Sequence, residues 1–127
     1  MKKLVMILCM LFIFSGCAQE EKLTYDSFNH IDHWDQLETI EDGLVIIYFY
    51  SEYCPVCVSI ADDVLRYADL ASQTHTIYFI ETSAIHEQGM PGFDLPSTPS
   101  LIILEDNQLL EFQRGPINTV DYLKNLT

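Results

Sequence analysis

The sequence predicts a small α/β domain in which helices flank a central mixed β-sheet of about four or five strands, in three layers. An apolar run, Leu44–Tyr50, delivers two cysteines to the start of an amphipathic segment, residues 58–71. A second apolar run at 76–80 follows, which is the order of a βαβ unit with parallel strands. Two further strands, Ser100–Glu105 and residues 108–113, flank a turn signal and complete the sheet as a hairpin.

The amino-terminal residues 1–16 are typical of a secretory signal peptide. Lys2 and Lys3 form a basic start, and the apolar run at 4–14 has eleven residues. A helix needs roughly 20 apolar residues to span a bilayer, whereas a shorter apolar run behind a basic start is the pattern of a signal peptide. We therefore exclude residues 1–16 from the folded domain.

The signal ends in Phe14-Ser15-Gly16-Cys17, which resembles the lipobox of bacterial lipoproteins. This resemblance implies cleavage before Cys17, which then becomes the lipidated amino terminus. The alternative is an ordinary cleaved signal, with Cys17 lost or free. We favour lipidation, because a free exposed cysteine is a liability in an exported protein.

Cysteine usage leaves one pair in the mature chain. Cys9 leaves with the signal and Cys17 is taken by lipid, so Cys54 and Cys57 remain. A zinc site usually needs four ligands, and only two thiols are available. Export also places the pair where disulfides are chemically permitted.

Charge limits the classes of partner. The chain has 19 acidic and 6 basic residues, a formal net charge of −13, which argues against binding to nucleic acid phosphates. The same charge repels an anionic leaflet, so the membrane would be reached through lipid rather than a basic patch. Residues 17–24 are interpreted as a polar tether and residues 25–127 as one domain.

The spacing of Cys54 and Cys57 suits a redox-active dithiol. Pro55 fits the first helical position, where a missing N–H costs nothing. Cys54 then lies just before the helix and faces its free N–H groups and positive dipole end, which favours the thiolate. Cys57, in the first turn, is shielded and acts second. A structural disulfide or half a zinc site would use the same spacing.

Residues 25–40 are predicted to be a helix, because apolar residues recur every three positions: Phe28, Ile31, Trp34 and Leu37. Thr24 or Asp26 is available as its N-cap. His30 and His33 could present two imidazoles to a metal, but no third ligand is near in the sequence. We interpret both as residues of a polar helix face.

The carboxyl-terminal part is predicted from turn and cap signals. We expect a short helix near 83–88, then loop, with His86 exposed. Asp106-Asn107 is the hairpin turn. A final helix begins at a cap supplied by Asn118 or Thr119, and its apolar residues are Val120, Leu123 and Leu126.

Two motifs together resemble the thioredoxin superfamily, over roughly residues 23–127. One is residues 49–57, Phe-Tyr-Ser-Glu-Tyr-Cys-Pro-Val-Cys, in which the CPVC sequence ends the motif. The other is Ser97-Thr98-Pro99-Ser100, which is similar to the cis-proline loop of that superfamily. A weaker match, Arg114-Gly115, follows the hairpin.

The resemblance implies roles by position. Cys54 is the attacking thiol, and Cys57 attacks the mixed disulfide and releases the substrate. Thr98 and Pro99 lie against the dithiol, and a cis bond there turns the backbone of Thr98 towards an extended substrate peptide. Tyr53 supplies an aromatic wall, so the expected substrate contacts are Tyr53, Pro55, Val56, Thr98 and Pro99.

The sequence also departs from the superfamily pattern. Tyr53 replaces the usual tryptophan, and Pro55-Val56 replaces the Gly-Pro of reducing thioredoxins. Tyr48 falls where thioredoxins keep a buried aspartate that helps proton transfer at the resolving cysteine. Glu52 is the only nearby carboxylate that the sequence reveals, and water screens its effect on the thiol.

These features predict a dithiol that is less strongly reducing than that of thioredoxin, and they leave its redox direction in the cell open. We expect a Cys54 pKa below the roughly 8.5 of free cysteine. We also expect a potential some tens of millivolts above the roughly −270 mV of thioredoxin.

The leading functional hypothesis is an extracytoplasmic, membrane-anchored thiol–disulfide oxidoreductase. Its expected partners are cysteine-containing exported proteins, a membrane redox partner, and the membrane itself through lipid. We expect a monomer that needs no cofactor. One alternative is a copper(I)-handling module that uses both thiols. The other is a non-catalytic binding lipoprotein on the same scaffold.

Overall fold

Four strands form one mixed sheet in the order β2-β1-β3-β4. The strands are β1 (Leu44–Tyr50), β2 (Thr76–Glu81), β3 (Ser100–Glu105) and β4 (Gln108–Arg114). β1 pairs with β2 in parallel and with β3 antiparallel, and β3 pairs antiparallel with β4. The predicted α/β fold class and the parallel βαβ unit are both confirmed.

This computed structural model describes residues 16, 19–40, 43–85 and 96–127. The predicted signal peptide, apart from Gly16, and the lipidation site Cys17 lie outside the described residues, as does His86. Of the short helix predicted near 83–88, only residues 83–85 are described, and they form a turn and a bend. Within the described part of the chain, no helix has the length and apolar character needed to cross a membrane.

β1 lies at the centre of the molecule because its side chains are apolar on both faces. Ile46, Tyr48 and Tyr50 point into one core, which also contains Cys57. The alternate residues enter a second core on the opposite face: Val45, Ile47 and Phe49. Every residue of β1 after Leu44 is buried, as expected for a strand covered on both sides.

Two α-helices cover the first face of the sheet. Helix α1 spans Pro55–Ala71 and helix α2 spans Pro116–Asn125. They pack against each other and against the core that contains Cys57. The predicted cap of α2 is wrong: the helix begins at Pro116 with Gly115 as N-cap, because proline suits the first helical position and glycine adopts the required φ of 83°.

The prediction of one helix over residues 25–40 is wrong. The structure has two short 3₁₀ helices, Tyr25–Ser27 and Trp34–Thr39. Between them, His30 pairs in parallel with Phe79 on the outer edge of β2. This pairing requires extended backbone, which interrupts any continuous helix.

The apolar spacing of this segment has a different origin from the one predicted. Phe28 stacks on Phe79 with ring centroids 4.5 Å apart, on the face that carries α1. Ile31, Trp34 and Leu37 enter the core on the opposite face. The segment therefore crosses the edge of the sheet and fills both cores, which one amphipathic helix face could not do.

The hairpin between β3 and β4 turns at the predicted residues. Asp106 and Asn107 have φ values of 51° and 63°, a left-handed conformation that these residue types tolerate. The Asp106 carboxylate also accepts the N–H of Gly43 at 2.9 Å. This bond ties the start of β1 to the turn.

Candidate redox site

Cys54 occupies the N-cap position of α1, as the position of Pro55 predicts. Its sulfur accepts the backbone N–H of Cys57 at 3.2 Å. Burial opposes ionisation of Cys54, but hydrogen bonds from Cys57, from the Thr98 side chain and from the Val56 backbone outweigh burial. The pKa of Cys54 is therefore lowered, in the expected direction.

Cys57 lies one turn further along α1 and has no exposed surface. Burial is the main reason that its pKa is raised, and its interactions with Cys54 add to the effect. Hydrogen bonds from the Ser51 backbone and the Thr98 side chain offset part of this shift. Both cysteines are free thiols in this structure, so the site is in its dithiol state.

The Thr98-Pro99 loop lies against the dithiol. The peptide bond between these two residues is cis, as the resemblance implies. The Cys54 thiol donates to the Thr98 carbonyl oxygen at 3.8 Å. The Gly115 N–H donates to the Pro99 carbonyl oxygen at 3.0 Å, so the start of α2 holds this loop in place.

Apolar side chains surround the partly exposed Cys54. Tyr53 is 85% exposed and Val56 is 43% exposed, and Pro55 is exposed between them. An aromatic ring with so little packing of its own is available to contact another molecule. The substrate-contact roles of Tyr53, Pro55, Val56, Thr98 and Pro99 stay predictions.

Three tyrosines are stacked in the core beside the dithiol. Tyr50 lies parallel to Tyr25 with ring centroids 4.0 Å apart and to Tyr48 with centroids 5.7 Å apart. Burial, followed by the charges of Cys57, Glu52 and Cys54, raises the pKa of Tyr25 to about 12. The expectation that Tyr48 is buried beneath the site agrees with its exposure of 0%.

His30 belongs to the same cluster rather than to a polar helix face. Its Nδ1 is 3.0 Å from the Phe28 carbonyl oxygen, and its Nε2 is 2.8 Å from the Tyr50 hydroxyl. Because a carbonyl oxygen only accepts, Nδ1 carries the proton, and in the neutral ring Nε2 accepts from Tyr50. Packing of the tyrosine stack thus explains His30 without a metal.

A second carboxylate reaches the loop before the dithiol, which the sequence reasoning missed. Glu81 ends β2 directly beside Tyr50 of β1. Burial opposes its ionisation, but hydrogen bonds from Ser83, Ser51 and the Glu52 backbone keep its pKa below the usual value. The sequence could have indicated this contact, since parallel strands bring their carboxyl ends to one edge of the sheet, and Glu81 follows the second apolar run as Ser51 follows the first.

No group of three or more potential metal-binding residues (His, Cys, Asp, Glu) occurs within the described ranges. A copper(I) site there would depend on Cys54 and Cys57 alone.

Comparison with known proteins identifies the family. A family model described as thioredoxin matches residues 23–126, most of the chain. Thioredoxin from Trypanosoma brucei brucei aligns with a TM-score of 0.65 at 18% identity, covering 84% of this chain and 92% of its own.

Two other solved structures align in the same way. Fasciola hepatica thioredoxin has a TM-score of 0.63 at 15% identity, covering 77% of this chain and 95% of its own. Mitochondrial thioredoxin 3 from Saccharomyces cerevisiae has a TM-score of 0.60 at 14% identity, covering 80% and 95%. A search of curated proteins gives no match. The family match, the shared fold and the CxxC pair at the start of α1 lead to one conclusion: the chain belongs to the thioredoxin family.

Proposed function

We propose that this protein is an extracytoplasmic, membrane-anchored thiol–disulfide oxidoreductase that exchanges a Cys54–Cys57 disulfide with cysteines of exported proteins. The opposite pKa shifts of the two thiols carry the proposal. Cys54 is partly exposed and its thiolate is favoured by the helix N–H groups, whereas Cys57 is buried and stays protonated longer. Such an asymmetry suits a pair that reacts in sequence.

The exchange proceeds in two balanced steps. The Cys54 thiolate attacks one sulfur of a substrate disulfide, a mixed disulfide forms, and the other substrate sulfur leaves as a thiolate. Cys57 then gives up its proton and attacks the Cys54 sulfur, which forms the Cys54–Cys57 disulfide and releases the second substrate sulfur as a thiolate that can take up a proton. The reverse sequence oxidises a substrate dithiol, so the same site serves either direction.

The surface beside Cys54 favours a polypeptide as the substrate. The exposed Tyr53 ring and the Val56 side chain offer apolar contact, and the Thr98 backbone lies within reach of Cys54. An extended peptide could pair with that backbone as an added strand does. The anchoring part of the proposal rests on the lipobox resemblance at Cys17.

The order of the two cysteines is tested by single serine variants of matched size. Cys57→Ser should accumulate mixed disulfides with partner proteins in cells, because the step that releases the substrate is blocked. Cys54→Ser should accumulate few, since the buried Cys57 is poorly accessible and less ionised. Non-reducing gels with acid-trapped thiols measure both.

The competing functions give different results. If Cys54→Ser traps more partners than Cys57→Ser, the assigned order is wrong. If the wild-type chain neither reduces a disulfide peptide nor oxidises a dithiol peptide, the non-catalytic binding role is favoured. Stoichiometric copper(I) binding by the reduced chain, lost in both serine variants and unaccompanied by exchange, would favour the metal-handling role.

A further inference from the structure

The hydroxyl of Tyr48 is buried next to the redox site, and no described residue is its hydrogen-bond partner. Among the described residues, three buried hydroxyls lack a partner, those of Tyr25, Tyr48 and Thr119. Tyr48 itself has no exposed surface. A buried unpaired hydroxyl costs free energy that phenylalanine would avoid at nearly the same shape. Its presence therefore calls for a reason beyond packing.

Tyr48 shares one core with Cys57. It lies two residues before Tyr50 on the same face of β1, and its ring is parallel to that of Tyr50. Cys57 projects from the first turn of α1 into this core. The Tyr48 hydroxyl and the Cys57 sulfur are thus both shielded from water on the same side of the sheet.

The charges around Tyr48 decide what its hydroxyl can do. Burial raises its pKa most, followed by the charges of Cys57, Tyr25, Cys54 and Tyr50. The raised pKa means that Tyr48 keeps its proton when Cys57 ionises. Tyr48 therefore cannot act as a base, but it can donate a hydrogen bond to a thiolate.

We propose that Tyr48 is a positioning residue that donates a hydrogen bond to the Cys57 thiolate, directly or through one water molecule, as Cys57 attacks the mixed disulfide. This inference rests on the proposed function. In the dithiol state, Cys57 interacts with the Cys54 sulfur. That interaction raises the pKa of Cys57, whereas the Ser51 backbone and the Thr98 side chain stabilise its thiolate. In the mixed disulfide, where the Cys57 thiolate must form, the Tyr48 hydroxyl adds a third donor.

The proposed step balances without a further reactant. Cys57 loses its proton to solvent, its thiolate attacks the Cys54 sulfur, and the bond between Cys54 and the substrate breaks. The substrate leaves as a thiolate and can take up a proton. Tyr48 keeps its own proton throughout. It lowers the free energy needed to form the Cys57 thiolate, but it does not accept the Cys57 proton.

The test uses the purified full-length chain with Ellman's reagent as the probe. Cys54 attacks the reagent, forms a mixed disulfide and releases a first coloured thiolate; attack by Cys57 on the Cys54 sulfur then releases a second, and this second release is the one followed. Tyr48→Phe should slow this release about tenfold at neutral pH. It should also move the pH midpoint of release upward by about one unit, because the Cys57 thiolate loses a donor. Cys57→Ser gives the background of colour release that does not depend on attack by Cys57.

Three comparisons separate this role from a structural one. Tyr48→Phe should leave the free energy of unfolding unchanged or raise it, since only an unpaired hydroxyl is removed. The Tyr78 ring packs on the opposite face of the sheet, so the Tyr78→Phe chain should release the probe thiolate at the wild-type rate. Tyr25→Phe should affect release less than Tyr48→Phe.

The opposite outcomes overturn the inference. A Tyr48→Phe chain with the wild-type rate and pH profile would make Tyr48 a packing residue only. If Tyr25→Phe slows release and Tyr48→Phe does not, the donor is Tyr25 and the assignment to Tyr48 is wrong. A wild-type chain that forms the mixed disulfide but never releases the probe would contradict the proposed function itself.

Discussion

At the scale of single residues, two neighbouring thiols lie in different surroundings at the start of α1, and their pKa values shift in opposite directions. Cys54 lies just before the helix, where its sulfur accepts a hydrogen bond from a backbone N–H of the first turn. Cys57 lies inside the helix and has no surface exposed to water. Thr98 acts on both, because its side chain interacts with each sulfur. The reactivity of the pair therefore depends on a residue from a distant part of the sequence.

We expect Thr98→Val to raise the pKa of Cys54. The variant removes a hydroxyl donor that stabilises the thiolate, while the shape of the side chain is kept. Below its pKa, Cys54 would then react more slowly, and the pH midpoint of its alkylation would rise by up to about one unit. Mass analysis of the peptide that contains Cys54, after timed iodoacetamide treatment, measures this midpoint.

Thr39→Val is the matched control, since the Thr39 hydroxyl donates to the Gln36 carbonyl oxygen and, among the described residues, to no other group. It should leave the midpoint unchanged. A midpoint that stays the same or falls in Thr98→Val would mean that the helix N–H groups alone set the pKa of Cys54.

At the scale of elements, local signals predicted β1, α1 and the hairpin, and they failed where an element depends on a distant partner. Pro55 and the apolar run before it act on adjacent backbone, so the start of α1 follows from the sequence. The segment 25–40 is different. Its backbone pairs with Phe79 on β2, and a spacing of three residues carries no information about that contact.

The same distinction applies to the site. Cys54, Cys57 and Thr98-Pro99 are visible as motifs, and the structure brings them together. Glu81 could be anticipated only from strand register, since it is opposite Tyr50 in the parallel pair. The stacking of Tyr25 on Tyr50 could not be anticipated, because it depends on the path of the segment 25–40, which the sequence predicted wrongly as one helix.

At the scale of the whole molecule, the acidic composition limits how the protein can be held at a membrane. A net charge of −13 gives no attraction to an anionic membrane surface. In the proposed function, retention at the membrane therefore depends on lipid at Cys17. The dithiol would then meet substrates within a thin layer near the membrane.

Cys17→Ser tests the anchor. The variant should lose labelling by a fatty-acid probe, and the protein should appear in the medium or stay unprocessed. Cys9→Ser is the control, because Cys9 lies within the predicted signal, and it should label and fractionate like wild type. A Cys17→Ser protein that still migrates and fractionates like wild type would show that the lipoprotein interpretation is wrong.

The redox potential of the whole protein follows from the balance between its reduced and oxidised states. Hydrogen bonds to the Cys54 sulfur stabilise the reduced, ionised form, and whatever stabilises that form makes the disulfide a better oxidant. We expect a potential some tens of millivolts above the roughly −270 mV of thioredoxin, where 30 mV corresponds to about 1.4 kcal/mol. Equilibration with glutathione buffers, followed by alkylation and mass analysis, measures it.

The variant Thr98→Val tests whether hydrogen bonds to the Cys54 sulfur set the redox potential. Loss of a donor to the Cys54 thiolate destabilises the reduced form, so the potential of the variant should fall towards that of thioredoxin, while Thr39→Val should match wild type. A wild-type potential at or below roughly −270 mV would contradict the expectation. It would instead favour a reductase supplied with electrons by a membrane carrier, because a strongly reducing dithiol outside the cytoplasm needs a continuous source of electrons.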